Sequence, residues 1–179
     1  MNIELSRQEP ARPMTWGLPR RGLADGLQIP VSQEYKYLLV MINTFTGWIE
    51  GFPIRTEKAE EVVKKLLHEI IPRFGPPRSL QSDNGTSFTS KVTQGVSKAL
   101  GITYYLHCAW RPQSSGKVER ANQFLKSAIK KITQETSLGW KEALSIALLR
   151  TLIAPKEQVG LSPYEMLYGR PLFMSMTSS

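Results

Sequence analysis

Six consecutive residues, Tyr37-Leu38-Leu39-Val40-Met41-Ile42, offer no polar face. A strand half open to water alternates polar and apolar residues, so an unbroken run of this length reads as a strand buried on both sides. Thr44 to Gly47 then supplies a turn, and Trp48 to Ile54 forms a second strand with Pro53 near its end, so the pair is expected to be a hairpin.

Thr56 can cap the helix that follows. Its first turn holds Glu57, Glu60 and Glu61, and Ala59, Val62, Val63, Leu66, Leu67 and Ile70 make its apolar face, with Pro72 expected to end it. Gly75-Pro76-Pro77 connects it to a short strand, Arg78 to Ser82, which runs into Asp83-Asn84-Gly85. Phe88, Val92, Val96, Ala99 and Leu100 keep helical spacing up to Gly101, and Ile102 to His107 reads as a further strand. A hairpin followed by strand, helix and strand implies a mixed α/β sheet flanked by helices.

Arg111 to Gly116 is rich in polar residues and breakers and reads as a loop opening a helix over Lys117 to Ile132, with Val118, Ala121, Leu125, Ala128 and Ile132 as its core stripe. Trp140 to Ile153 is another amphipathic helix. Ser162-Pro163-Tyr164-Glu165 has the cap, first-turn proline and third-position glutamate of a capping box, and Gly169 closes the short helix that it starts.

Residues 1 to 34 show no sustained periodicity and balance their charges, and are expected to be a loosely structured leader. The folded unit is expected over 35 to 172, with a tail at 173 to 179. The whole net charge of +8 therefore belongs to residues 35 to 179, which favours a polyanionic partner. One cysteine and two histidines exclude a disulfide framework and a zinc cluster, so a catalytic metal would need oxygen ligands. No apolar run approaches the ~18 residues of a membrane span, and the N-terminus has no signal-peptide pattern. The expected location is nuclear or intracellular, without secretion or membrane insertion.

Thirteen of the fifteen acids are Glu, leaving Asp25 and Asp83 as the only aspartates. Asp83 follows a strand at its carboxyl end, where α/β sheets gather ligands, although Asp-Asn-Gly is also a favourable plain turn. Glu119 shares a helical stripe with Gln123, Lys126 and Lys130, an arrangement equally suited to a solvated face. Taken together, the two carboxylates could share a hard divalent cation, while Lys117, Arg120, Lys126, Lys130 and Lys131 hold a phosphate backbone. Phosphodiester chemistry follows from that combination. His107 and Cys108 read as ordinary side chains beside it.

Several stretches carry a family resemblance: Tyr-Lys-Tyr-Leu-Leu-Val at 35 to 40, Thr-Phe-Thr-Gly-Trp-Ile-Glu at 44 to 50 and Ser-Asp-Asn-Gly at 82 to 85. Leu-His-Cys-Ala-Trp-Arg-Pro-Gln-Ser-Ser-Gly-Lys-Val-Glu-Arg at 106 to 120 and Leu-Ser-Pro-Tyr-Glu-Met-Leu-Tyr-Gly-Arg-Pro at 161 to 171 continue it. Residues 35 to about 171 resemble the catalytic core of retroviral integrases, most closely those of gammaretroviruses and endogenous retroviruses.

The resemblance implies a ribonuclease-H-like five-stranded mixed sheet flanked by helices. It also implies a triad of two Asp and one Glu with 35 residues between the last two, the number that separates Asp83 from Glu119. These two become metal ligands for Mg2+ or Mn2+, with two ions where the triad is complete. The first Asp belongs to the first strand, in a Trp-x-x-Asp-Phe-Thr context, and Asp25 is the acid available for it. Asn43 stands where related sequences usually carry an Asp that is not a ligand.

By the same resemblance the chain is a polynucleotidyl transferase core for DNA integration, performing 3′-end processing and strand transfer. Gln113, Lys117, Arg120, Lys126 and Lys130 are its DNA contacts, and a homodimer is expected, using apolar helix surface around Trp140. The alternative is a catalytically inactive nucleic-acid-binding or dimerisation module, a truncated core without the family's flanking domains.

Overall fold

The structure is a computed structural model that describes residues 14–17, 35–43, 45–82, 91–106, 112–157 and 159–172. Strands β1 (Met14–Gly17), β2 (Tyr37–Asn43) and β3 (Ile49–Ile54) are followed by α1 (Ala59–Lys65), a π-helical turn (Leu66–Ile70) and α2 (Ile71–Phe74). Then come β4 (Ser79–Ser82), α3 (Lys91–Ala99), β5 (Thr103–Leu106), α4 (Pro112–Thr136), α5 (Trp140–Ile153) and α6 (Pro163–Tyr168).

The strands lie in the order β3-β2-β1-β4-β5. β2 runs antiparallel to both of its neighbours, β1 and β3, while β1, β4 and β5 run parallel, so the sheet is mixed. The apolar run of β2 lies inside it. Leu38, Val40 and Ile42 pack beneath α4 and α5, against Ala121, Leu125, Ile129, Trp140 and Leu144. Leu39 and Met41 face the other way, meeting Val62, Leu66 and Ile70, together with Leu80 and Ile102. The absence of alternation in the sequence is thus two cores, one on each side of a single strand. Pro53, which cannot donate to a ladder, sits on the edge strand β3.

Asn43 organises the β2–β3 turn. Its Oδ1 accepts hydrogen bonds from the Phe45 and Thr46 amides at 3.0 and 3.1 Å, and its backbone carbonyl accepts from Gly47 at 2.7 Å. Gly47 adopts φ +72°, a conformation that costs glycine little. At the far end of the fold, Ser162 and Glu165 form the expected capping box and Gly169 closes α6 in the left-handed region. Tyr164 and Tyr168 of α6 pack on Trp48, whose indole Nε1 donates to Glu50 at 2.8 Å, and Arg73 pairs with the same carboxylate oxygen at 3.1 Å.

Four sequence expectations change. A strand, β1, lies within the segment read as a loose leader, and it sits in the middle of the sheet rather than beside it. Pro72 does not end its helix: the Ile71 amide bonds back to Leu66 through the π turn, and the chain stays helical to Phe74. That wider turn reorganises the hydrogen bonds where proline has no amide to give. The breaker-rich stretch from Pro112 is already helical, proline being well suited to a first helical position. Trp140, expected on a dimer surface, is 3% exposed and belongs to the core.

Candidate catalytic and DNA-binding face

The long helix α4 builds this face. Ala121, Leu125, Ile129 and Ile132 recur at steps of three and four, are all buried, and fasten it over β2. Its contacts extend to β1. The opposite side of α4 consequently faces outward: Arg120, Gln123 and Lys130 are exposed and Lys126 is partly so. Lys131 pairs with Glu135 at 3.8 Å, but among the described residues Arg120, Lys126 and Lys130 enter no ion pair. Three cations on one exposed helical side form a surface that a phosphate backbone can neutralise.

Phe124 was not singled out in the sequence, yet it is 52% exposed, one helical turn after Arg120. Its helical spacing fits the edge of the core stripe equally well, so periodicity alone carried no signal. An aromatic ring among basic side chains suits stacking against a splayed base.

Gln113, Lys117 and Glu119 lie on α4 near its amino end, and their backbone is helical. Asp83 follows Ser82, the last residue of β4, in sequence; Asp83, Asp25, His107, Cys108 and Trp110 themselves lie outside the described residues. Among the described residues no three of His, Cys, Asp and Glu gather as a metal site.

Strand β1 tests how well the chain fits a two-ion centre. It reads Met14-Thr15-Trp16-Gly17, without a carboxylate, in the strand between β2 and β4. Carboxylates, the groups expected as ligands at Asp83 and Glu119 from the sequence, would suit a hard cation such as Mg2+. A pair of ions about 4 Å apart needs a further ligand shared between them, and β1 carries no such group. Among the described residues, none supplies a ligand shared between two ions.

The sequence pattern of the family described as "Integrase core domain" matches residues 23–112. The Gag-Pol polyprotein of baboon endogenous virus (strain M7) is 55% identical over 138 residues, which cover 76% of this chain. The chain belongs to the retroviral integrase core family.

This integrase core spans 8% of the baboon virus polyprotein. Its fold matches one chain of the simian T-cell lymphotropic virus intasome, solved in complex with PP2A regulatory subunit B56 gamma. That match has a TM-score of 0.73 and 24% identity, covering 95% of this chain and 60% of the other. The HTLV-2 integrase catalytic core domain, solved with magnesium in a trimeric form, matches with a TM-score of 0.70 and 21% identity over 87% of this chain and 95% of that one. These likenesses assign the ribonuclease-H-like α/β fold of integrase cores. The family match begins at residue 23, beyond β1, so the strand without a carboxylate is the part of the sheet that it does not reach. No helix among the described residues is long and apolar enough to cross a membrane.

Proposed function

We propose that this chain is a retroviral-type integrase core that engages DNA along α4 but does not carry out strand transfer on its own. Membership of the family supports the reaction class read for the site, polynucleotidyl transfer in DNA integration. Arg120, Lys126 and Lys130, with Gln123 and the exposed Phe124 on the same helix, support the DNA-binding half of the reading. Gln113 and Lys117 extend the same helix toward its amino end.

The observation that carries the catalytic half is β1. In this proposal Asp83 and Glu119 hold a single Mg2+ or Mn2+ ion weakly, a homodimer is the working assembly, and the protein acts in the nucleus. A metal bound there would polarise a phosphoryl oxygen; the cations of α4 would hold the DNA backbone in register beside it.

The direct test uses the unmodified chain with viral-end duplex DNA and with an RNA/DNA hybrid, in Mg2+ and in Mn2+. DNA binding that weakens with salt, with no strand transfer and no hybrid cleavage, is expected. Efficient strand transfer would establish a working polynucleotidyl transferase, and cleavage of the hybrid a ribonuclease.

A further inference from the structure

The outward surface of α4 has two flanks that carry different chemistry. An α-helix turns about 100° per residue. Counted from Phe124 around the helix, Lys131 lies about 20° away, Arg120 about 40° and Ser127 about 60°, whereas Lys130 and Lys126 lie about 120° and 160° away. All of these are exposed except Lys126, which is partly so. One flank is thus Gln123, Lys126 and Lys130, cationic and without an aromatic ring; the other is Arg120, Phe124, Ser127 and Lys131.

Phe124 is the one large apolar side chain exposed on α4 among the described residues, and it belongs to neither core. Among the described residues, neither another ring nor a cation covers its face. Arg120 stands one turn before it and Lys131 two turns after it on the same flank. The Lys131 pair with Glu135 is 3.8 Å long and exposed, so Lys131 can exchange it for a phosphate at little cost. Positive charge before and after the ring favours a polyanion over an apolar protein surface as its occupant.

Lysines hold phosphates without regard to the bases. An exposed ring takes the face of a base, and does so for any base, since each has a π-face. In a paired duplex that face is covered by the neighbouring base pairs. A base without a partner leaves the stack at the least cost. We propose that Phe124 is a specificity-determining residue of this surface, giving α4 a preference for DNA that holds an unpaired base over fully paired duplex of the same charge. This rests on the proposed engagement of DNA by α4 and names the DNA that the surface selects.

The test is fluorescence anisotropy of the full chain with two probes carrying equal numbers of phosphates: a fully paired duplex, and the same duplex in which one internal base faces an abasic site. The parent should bind the second probe several-fold more tightly. Phe124→Ala should weaken that binding about tenfold, the scale of one lost base–aromatic stack, and binding of the paired duplex by no more than about twofold. Phe124→Trp should keep the preference. With 2-aminopurine as the unpaired base, the parent should quench its fluorescence and Phe124→Ala should not, a signature of stacking that a merely structural role would not give.

Equal affinity of the parent for both probes would overturn the inference, as would equal losses on both in folded Phe124→Ala. A change of oligomeric state in sedimentation of Phe124→Ala would also overturn it, by making Phe124 a contact between copies of the chain. A parent that binds both probes without preference loses only the selection at Phe124. A parent that binds neither loses the engagement of DNA by α4 as well.

Discussion

Gly17 of β1 is level with Val40 of β2, and Val40 is fully buried beneath α4. The fold is that of an integrase core, and none of the four residues of β1 is a carboxylate.

DNA binding should depend on the outer side of α4. Replacing Lys126 and Lys130 together by Glu exchanges two cations for two anions on one helical side, so duplex affinity should fall by tenfold or more at low salt, and the slope of affinity against salt should flatten. Anisotropy titrations at several salt concentrations read both quantities, with circular dichroism as the check on folding. Unaltered affinity in the folded double variant would remove this face from the account.

Asn43 should tolerate the acid that the family resemblance implies at this position. Asp offers the same Oδ1 acceptor to the Phe45 and Thr46 amides, so Asn43→Asp should leave stability within about 0.5 kcal/mol. Asn43→Ala removes two turn hydrogen bonds and should cost about 1–2 kcal/mol. Urea denaturation of the two variants distinguishes an acceptor role from a requirement for the amide.

Much of this architecture was legible in the chain because it rests on strong local patterns. The six-residue apolar run marked β2, the step of three and four through Ala121 and Leu125 marked α4, and Ser162 with Glu165 marked the start of α6. Strand β1 was not legible: Met14-Thr15-Trp16-Gly17 is too short for alternation to register, and only pairing with β2 and β4 identifies it. Trp140 illustrates a different loss, since an apolar residue at a helix start fits an interface or a core equally well until tertiary packing is known. Of the candidate site, the outer face of α4 followed from periodicity, whereas the place of β1 between β2 and β4 depended on strand register between segments far apart in sequence.

The burial of Trp140 gives a prediction opposite to that of a dimer-surface residue. Trp140→Ala should destabilise the fold by about 3–5 kcal/mol. Its indole Nε1 is buried and unpartnered among the described residues, so Trp140→Phe, which deletes that group, should stay within about 1.5 kcal/mol of the parent. Sedimentation of the Phe variant should give the parent's oligomeric state. A selective loss of dimer with unchanged monomer stability would instead return Trp140 to the interface.

The capping box gives α6 a pH dependence. Hydrogen bonds from the Ser162 backbone amide and with the Ser162 side chain lower the Glu165 pKa from its ordinary value of 4.5. A carboxyl with a lower pKa when folded contributes its stability above the ordinary carboxylate range, and loses it as pH falls through the folded value. Ser162→Ala should cost about 1 kcal/mol near neutral pH. The difference between parent and variant should shrink as the solution is made acidic, which thermal denaturation across pH 3 to 7 would record; a difference that grows on acidification would contradict the assigned coupling.

The most direct measurement of the central claim is strand transfer by the unmodified full chain on viral-end duplex DNA in Mn2+, run beside its Asp25→Asn variant. The account predicts DNA bound by both proteins and no joined product from either. Joined product from the parent that disappears on Asp25→Asn would contradict it, because the carboxylate that β1 lacks would then be supplied by Asp25.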